Sequence, residues 1–111
     1  MRINVSEARH QAQMLGNNAS TLLAIRKQLE SFQGSLNSHW QAEEMNHVNR
    51  AINNIQDELS SIAATLTQLE AAIVHTAQAI RQEEIAEEER QRQLEEAKQK
   101  EREMMLKQNG R

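Results

Sequence analysis

The stretch EMNHVNRAINNIQDELSSIAATLTQLEAAIVHTAQAI, residues 44–80, decides the fold. One apolar row recurs every seven positions, at Met45, Ile52, Leu59, Leu66, Ile73 and Ile80. A second row lies three places on, at Val48, Ile55, Ile62 and Leu69, with Thr76 as its polar last step. Two rows sustained over five repeats make the seam of a long helix that packs against other helices. Alanines at Ala51, Ala63, Ala72, Ala77 and Ala79 widen the stripe. A narrow seam suits one partner helix, and a widened one suits a bundle.

Upstream the same spacing returns. Ala8, Ala12, Leu15, Ala19, Leu22, Ile25, Leu29, Phe32 and Leu36 follow one another in steps of three and four. This predicts a first helix over about residues 6–36, with Asn4 and Glu7, or Ser6 alone, capping its start. Between the two patterns lies Gly34-Ser35-Leu36-Asn37-Ser38-His39-Trp40, the densest cluster of turn formers in the chain. A turn at about 37–40 follows, with Ser38 and Gln41 at capping-box spacing and a second helix from about 41. So short a connection returns the second helix antiparallel to the first. The expected architecture is an all-α antiparallel helical hairpin over residues 1–80.

From 81 to 111 the composition changes. Nine glutamates lie between Glu83 and Glu103, seven Lys and Arg lie between Arg81 and Lys107, and the seam fails at Glu87 and Glu101. Acid-first pairs such as Glu88–Arg92 and Glu96–Lys100 support helix by a few tenths of a kcal/mol each. A charged helical or frayed extension is expected there.

The hairpin has too little to bury its stripe against. Ordering the backbone costs about 1–2 kcal/mol per residue, and burying a large aliphatic returns roughly 1.5–3 kcal/mol only when burial is complete. Two rods without a third layer cannot complete it. A second hairpin is therefore expected to close a four-helix bundle, as a homodimer or as a heterodimer with a sister protein. Its core would draw on Leu15, Leu22, Leu29, Phe32, Leu36, Val48, Ile52, Ile55, Leu59, Ile62, Leu66, Leu69 and Ile73.

Chemistry is hard to find in these residues. The chain has no cysteine, which removes disulfides, thiolate metal sites and cysteine nucleophiles together. Glu7-Ala8-Arg9-His10 and Glu44-Met45-Asn46-His47 share a Glu-x-x-His spacing that would put both ligands on one helix face, but they fall at opposite ends of a hairpin. The further inward carboxylates of a di-metal site have no candidate. No nucleophile elbow or phosphate-cradling glycine loop is present. Catalytic, metal-binding and cofactor roles are not expected, and neither is an enzyme. The net charge of −3, with both signs interspersed, argues against nucleic acid. No apolar run reaches membrane-spanning length, and Met1-Arg2-Ile3-Asn4-Val5 lacks the apolar core of a secretory signal. Any export is expected to start in the cytoplasm, without a cleavable signal peptide, and to depend on another machine.

One residue stands apart. Trp40, the only tryptophan, falls at the reversal, either plugging the open end of the bundle or helping to form a recognition surface, with the plug favoured. About one hundred residues, an Ile3-Asn4-Val5-Ser6-Glu7 opening, a helical hairpin and a turn tryptophan together resemble the WXG, or early-secreted-antigen-like, family of type VII (ESX) secretion. The resemblance covers residues 1 to about 85. The family's Trp-x-Gly turn matches Trp40-Gln41-Ala42, with Ala42 in the glycine position. Its second signature, an apolar residue followed four places later by an acid, falls on Ile80 and Glu84.

What the resemblance implies is a secreted substrate, or an escort for a larger effector that carries a similar hairpin. The turn tryptophan of one chain would lie near the acidic motif of the other, and the secretion ATPase and channel would read both. Ala42 and the long tail tilt the expectation toward an escort. The competing expectation is a cytoplasmic coiled-coil scaffold or assembly factor with no export role.

Overall fold

The computed structural model describes residues 2–40 and 43–109. Among these residues the chain is all-helical, without strands, and consists of two helices packed against each other. The first, α1, runs Val5–His39, and the second, α2, runs Glu44–Asn109. Asn4 caps α1, its side-chain oxygen accepting from the Glu7 N–H at 3.0 Å. That satisfies one of the four first-turn donors no helix can pair internally.

The reversal comes later than the turn formers suggest. Gly34, Ser35, Asn37 and Ser38 all lie inside α1, which ends at His39 rather than Leu36, and α2 starts at Glu44 rather than at about 41. The reason is local bonding. The Ser38 hydroxyl donates to the Gly34 carbonyl at 3.0 Å, and the His39 Nδ1 lies 2.8 Å from the Ser35 carbonyl, which can only accept. These side chains share carbonyls with the helical N–H groups of the same turn, so polar residues with the composition of a break are accommodated inside α1. Trp40 closes α1 in extended backbone, its N–H donating to the Leu36 carbonyl at 2.8 Å. Ser38 is therefore not the cap of α2. Gln41 and Ala42 lie outside the described residues.

The helices run antiparallel in a register fixed by cross-helix contacts. Gln33 meets Asn49 and Asn53 near the tip, Gly16 faces Glu70 midway, and Ile3 and Arg2 meet Glu84 and Glu88 at the open end. Beyond Glu88 α2 has no sister helix. It continues alone to Asn109, roughly 30 Å further at 1.5 Å per residue. The result is a rod with principal extents of 105 × 17 × 14 Å. No helix among the described residues is long and apolar enough to cross a membrane.

Three rows describe the packing. A first row, Leu15, Leu22, Leu29 and Leu36 on α1 with Ile52, Leu59, Leu66 and Ile73 on α2, lies along the intrachain seam. An inner row completes that seam, with Ala12, Ala19, Arg26 and Gln33 on α1 and Asn49, Gln56, Ala63, Glu70 and Ala77 on α2. An outer row flanks the first on its other side: Ile25 and Phe32 on α1, and Val48, Ile55, Ile62 and Leu69 on α2. Every one of these outer residues is exposed. Among the bundle-core candidates, Phe32, Val48, Ile55, Ile62 and Leu69 thus lie outside the hairpin's own seam. The sister helix is met across the first and inner rows, where small and amide side chains allow close approach.

Candidate functional site

The seam inside the hairpin is small and partly polar. Near the tip the Gln33 amide donates to Asn49 and Asn53, both at 3.1 Å, and the Asn49 amide donates to Asn37 at 2.9 Å. The Gln56 amide donates to Gln33 at 3.4 Å. Further along, Ala12, Ala19, Ala63 and Ala77 bring the backbones together, and the absence of a side chain at Gly16 leaves room for the Glu70 carboxylate. No large side chain among the described residues is fully buried. The Arg26 Nε is buried in this seam without a hydrogen-bond partner.

The outer row of large apolar side chains points elsewhere. Because both helices use equivalent rows and run antiparallel, their outer rows emerge on the same side of the hairpin. That side is an open apolar face. Phe32 is 56% exposed and Ile62 49% exposed, each with about half of its burial unrealised. Covering the remaining half of six such side chains would contribute roughly 1 kcal/mol each. The total is comparable with the whole stability of a small domain. First-row leucines beside this face would gain burial as well.

Trp40 sits at the tip, 62% exposed. Within the single hairpin it is thus not packed between the helices, and it follows α1 in extended backbone. Ile80 lies at the opposite end, exposed, lining shallow surface grooves with Thr76, Ala79 and Glu83. Glu84 is four residues beyond it, and its carboxylate accepts from the Ile3 N–H at 2.7 Å and from Arg81 at 3.2 Å. The Ile3 N–H and then Arg81 hold the Glu84 carboxyl below its ordinary pKa. Arg2 and Arg81 both reach Glu88, at 2.9 and 3.8 Å, so the two glutamates and two arginines form a clasp over the open end. The sequence pointed to Glu84 as a recognition residue and missed this clasp, because nothing local links Ile3 to a carboxylate 81 positions away.

Within one chain Trp40 and the Ile80–Glu84 segment are not brought together. They stand at opposite ends of the hairpin, roughly 60 Å apart along α2. Glu7 and His10 lie at the open end and Glu44 and His47 at the tip, so the two Glu-x-x-His pairs do not meet. Among the described residues no group of three or more His, Asp or Glu side chains is placed to hold a metal ion. The depressions found there are open grooves, none enclosing a volume from water. What the arrangement offers is two surfaces, the apolar face and the aromatic tip. In comparisons with known proteins no family model matches the chain, and no curated protein or solved structure matches it either.

Proposed function

We propose that the chain is a WXG-like protein of type VII secretion, either a secreted substrate or the escort of a larger effector. It acts by protein–protein interaction, pairing with a second hairpin into a four-helix bundle. The observation that carries this reading is the exposed Trp40 at the tip of an otherwise almost non-aromatic hairpin. A tryptophan left in water presents a large rigid surface to a partner at little entropic cost, which is why it is enriched where binding energy concentrates. The open apolar face supports the same reading, since it is what a second hairpin would cover.

In an antiparallel pair of hairpins the tip of one chain lies beside the open end of the other. Trp40 would then come near Ile80 and Glu84 of its companion, the two elements that the family's secretion machinery reads together. Export would start in the cytoplasm, without a cleavable signal peptide. The test is to replace Trp40 with Ala, and separately Ile80 with Ser, and to follow export of the protein and of any co-encoded effector. Loss of export in both variants, with pairing retained, is the expected result. Unchanged export in both removes the reading.

A second reading is favoured by the lone stretch of α2. Helix from Glu87 onward, carrying acid–base pairs such as Glu87–Arg90 and Glu89–Arg92, suits a spacer in a cytoplasmic coiled-coil scaffold or assembly factor. That role gives Trp40 no task. Confinement of the protein to the cytosol of a secretion-competent cell would favour it.

A further inference from the structure

The Glu84 carboxylate is already engaged within its own chain. Its Oε1 accepts from the Ile3 N–H at 2.7 Å and its Oε2 from Arg81 at 3.2 Å, and the side chain is only 19% exposed. Beside it Glu88 pairs with Arg2 at 2.9 Å. A carboxylate with both oxygens accepting and a cation alongside offers a partner neither a free acceptor nor an unpaired charge. A partner could take it only by stripping those donors and leaving them without an acceptor.

What the carboxylate holds is the segment before α1. The helical ladder reaches back to Asn4, whose carbonyl accepts from the Ala8 N–H at 3.0 Å, and it stops there. Ile3 lies outside the helix, so its N–H has no helical carbonyl to meet. Glu84 supplies the acceptor from across the hairpin, and the position of Ile3 follows from it. The half-buried Ile3 then shares a shallow groove with Ile73, Thr76, Ala77 and Ile80. A second groove beside Ile3 runs to Arg9, His75 and Arg81. The apolar surface at the open end is thus built from two segments far apart in sequence, and one carboxylate sets their spacing.

We propose that Glu84 is a positioning residue: its carboxylate seats Ile3 beside Ile80, and a partner at the open end reads those two apolar side chains. The inference rests on the reading that the open end is recognised in export, and it names the groups recognised there.

The seat is tested in the full-length protein by following the Ile3 amide resonance through an acid titration. The charged groups around it are Arg2, Arg81 and Glu88 in the clasp, with Arg9 and His75 across the groove. Histidine titrates well above the carboxylates, so its effect is separate. The expected result is a step in the wild type that Glu84→Gln removes although Glu88 is still present. Export is then compared in three variants. Ile3→Pro removes the N–H donor, leaves Glu84 intact and falls outside α1, before the Asn4 cap. Glu84→Ala removes the acceptor, whereas Glu84→Gln keeps an acceptor oxygen without the charge. Loss of export is expected with Ile3→Pro and Glu84→Ala, and partial recovery with Glu84→Gln. Normal export of Ile3→Pro, or an Ile3 amide without the step, overturns the inference. If Trp40→Ala abolishes export while Ile3→Pro does not, this inference falls and the proposed function stands. Unchanged export with both Trp40→Ala and Ile80→Ser removes the proposed function, whatever the Ile3 amide shows.

Discussion

Glu84 joins the beginning of the chain to a point far along α2, and its bond can be weighed by acid. Its carboxyl is held below the ordinary pKa of about 4.3 by the Ile3 N–H and Arg81. A group depressed in the folded state stabilises fully above its unfolded pKa, and that contribution is lost as pH falls through the folded pKa. Glu84→Gln should therefore melt below the wild type at neutral pH, and the gap should close as the solution is acidified below the ordinary carboxylate range. Thermal melts of both proteins from neutral pH to about pH 3 check this. A gap that does not change with pH would mean that the carboxylate charge plays no part.

Arg26 is the second residue with a clear cost. Its Nε–H is buried in the seam and finds no acceptor there, and an unsatisfied buried donor costs about 1–3 kcal/mol. Arg26→Leu removes that donor while keeping an apolar stem on the inner row. The expected outcome is a higher melting temperature, by an amount corresponding to about 1 kcal/mol. A lower one would show that the charged head reaches a partner in solution. Trp40, exposed at the tip of the single hairpin, should be quenched by acrylamide less readily in the assembled protein than free tryptophan is, and quenching equal to that of free tryptophan would mean that assembly leaves the tip uncovered.

At the scale of the helices, two glycines give contrasting expectations. Gly34 lies inside α1 with nothing within 4 Å of where a Cβ would stand, so Gly34→Ala should stabilise by about 0.5–1 kcal/mol through helix propensity alone. Gly16→Ala should gain less, because the added carbon overlaps the Glu70 carboxylate and that flexible side chain has to swing aside. Denaturant melts of the two variants check the order of the effects. The amide ladder of Gln33, Asn49, Asn53 and Gln56 calls for a different measurement. Replacing Gln33 and Gln56 together by Leu should leave stability similar or higher but loosen the register, seen as doubled or broadened amide resonances near the tip.

The helices and their antiparallel order were legible in the sequence because aliphatic residues repeat at helical spacing from Ala8 to Leu36 and from Met45 to Ile80. The flank that meets the sister helix was not. Apolar spacing selects Val48, Ile55, Ile62 and Leu69, whereas the hairpin closes over Asn49, Gln56, Ala63, Glu70 and Ala77. A row of amides and alanines carries no hydrophobic signal, yet it packs closely and satisfies its own hydrogen bonds. The turn was misplaced for a related reason. Ser38 and His39 have the composition of a break, yet their side chains bond to carbonyls four residues back and both remain inside α1. Of the candidate site, Trp40 was marked by being unique, and its exposure became visible only once α1 was seen to run to His39.

For the molecule as a whole, one row of large aliphatics lies on the open face while the other shares the seam with alanines and amides, an arrangement that a lone rod keeps at a cost. Ile55→Glu with Ile62→Glu touches only the open face, so it should abolish assembly. It should also reduce helicity, since the first-row leucines would remain half-covered. Circular dichroism over a range of protein concentrations should show helicity rising with concentration in the wild type and staying low in this variant. The lone stretch past Glu88 needs no partner for its own charge pairs, so deletion from residue 97 onward should leave assembly unchanged.

Sedimentation equilibrium of the full-length chain, read together with its helicity, tests most directly whether folding and pairing are one event. The expectation for the protein alone is a species of twice 12.7 kDa that dissociates and loses helix together on dilution. A fully helical 12.7 kDa monomer that melts cooperatively at every concentration would contradict it.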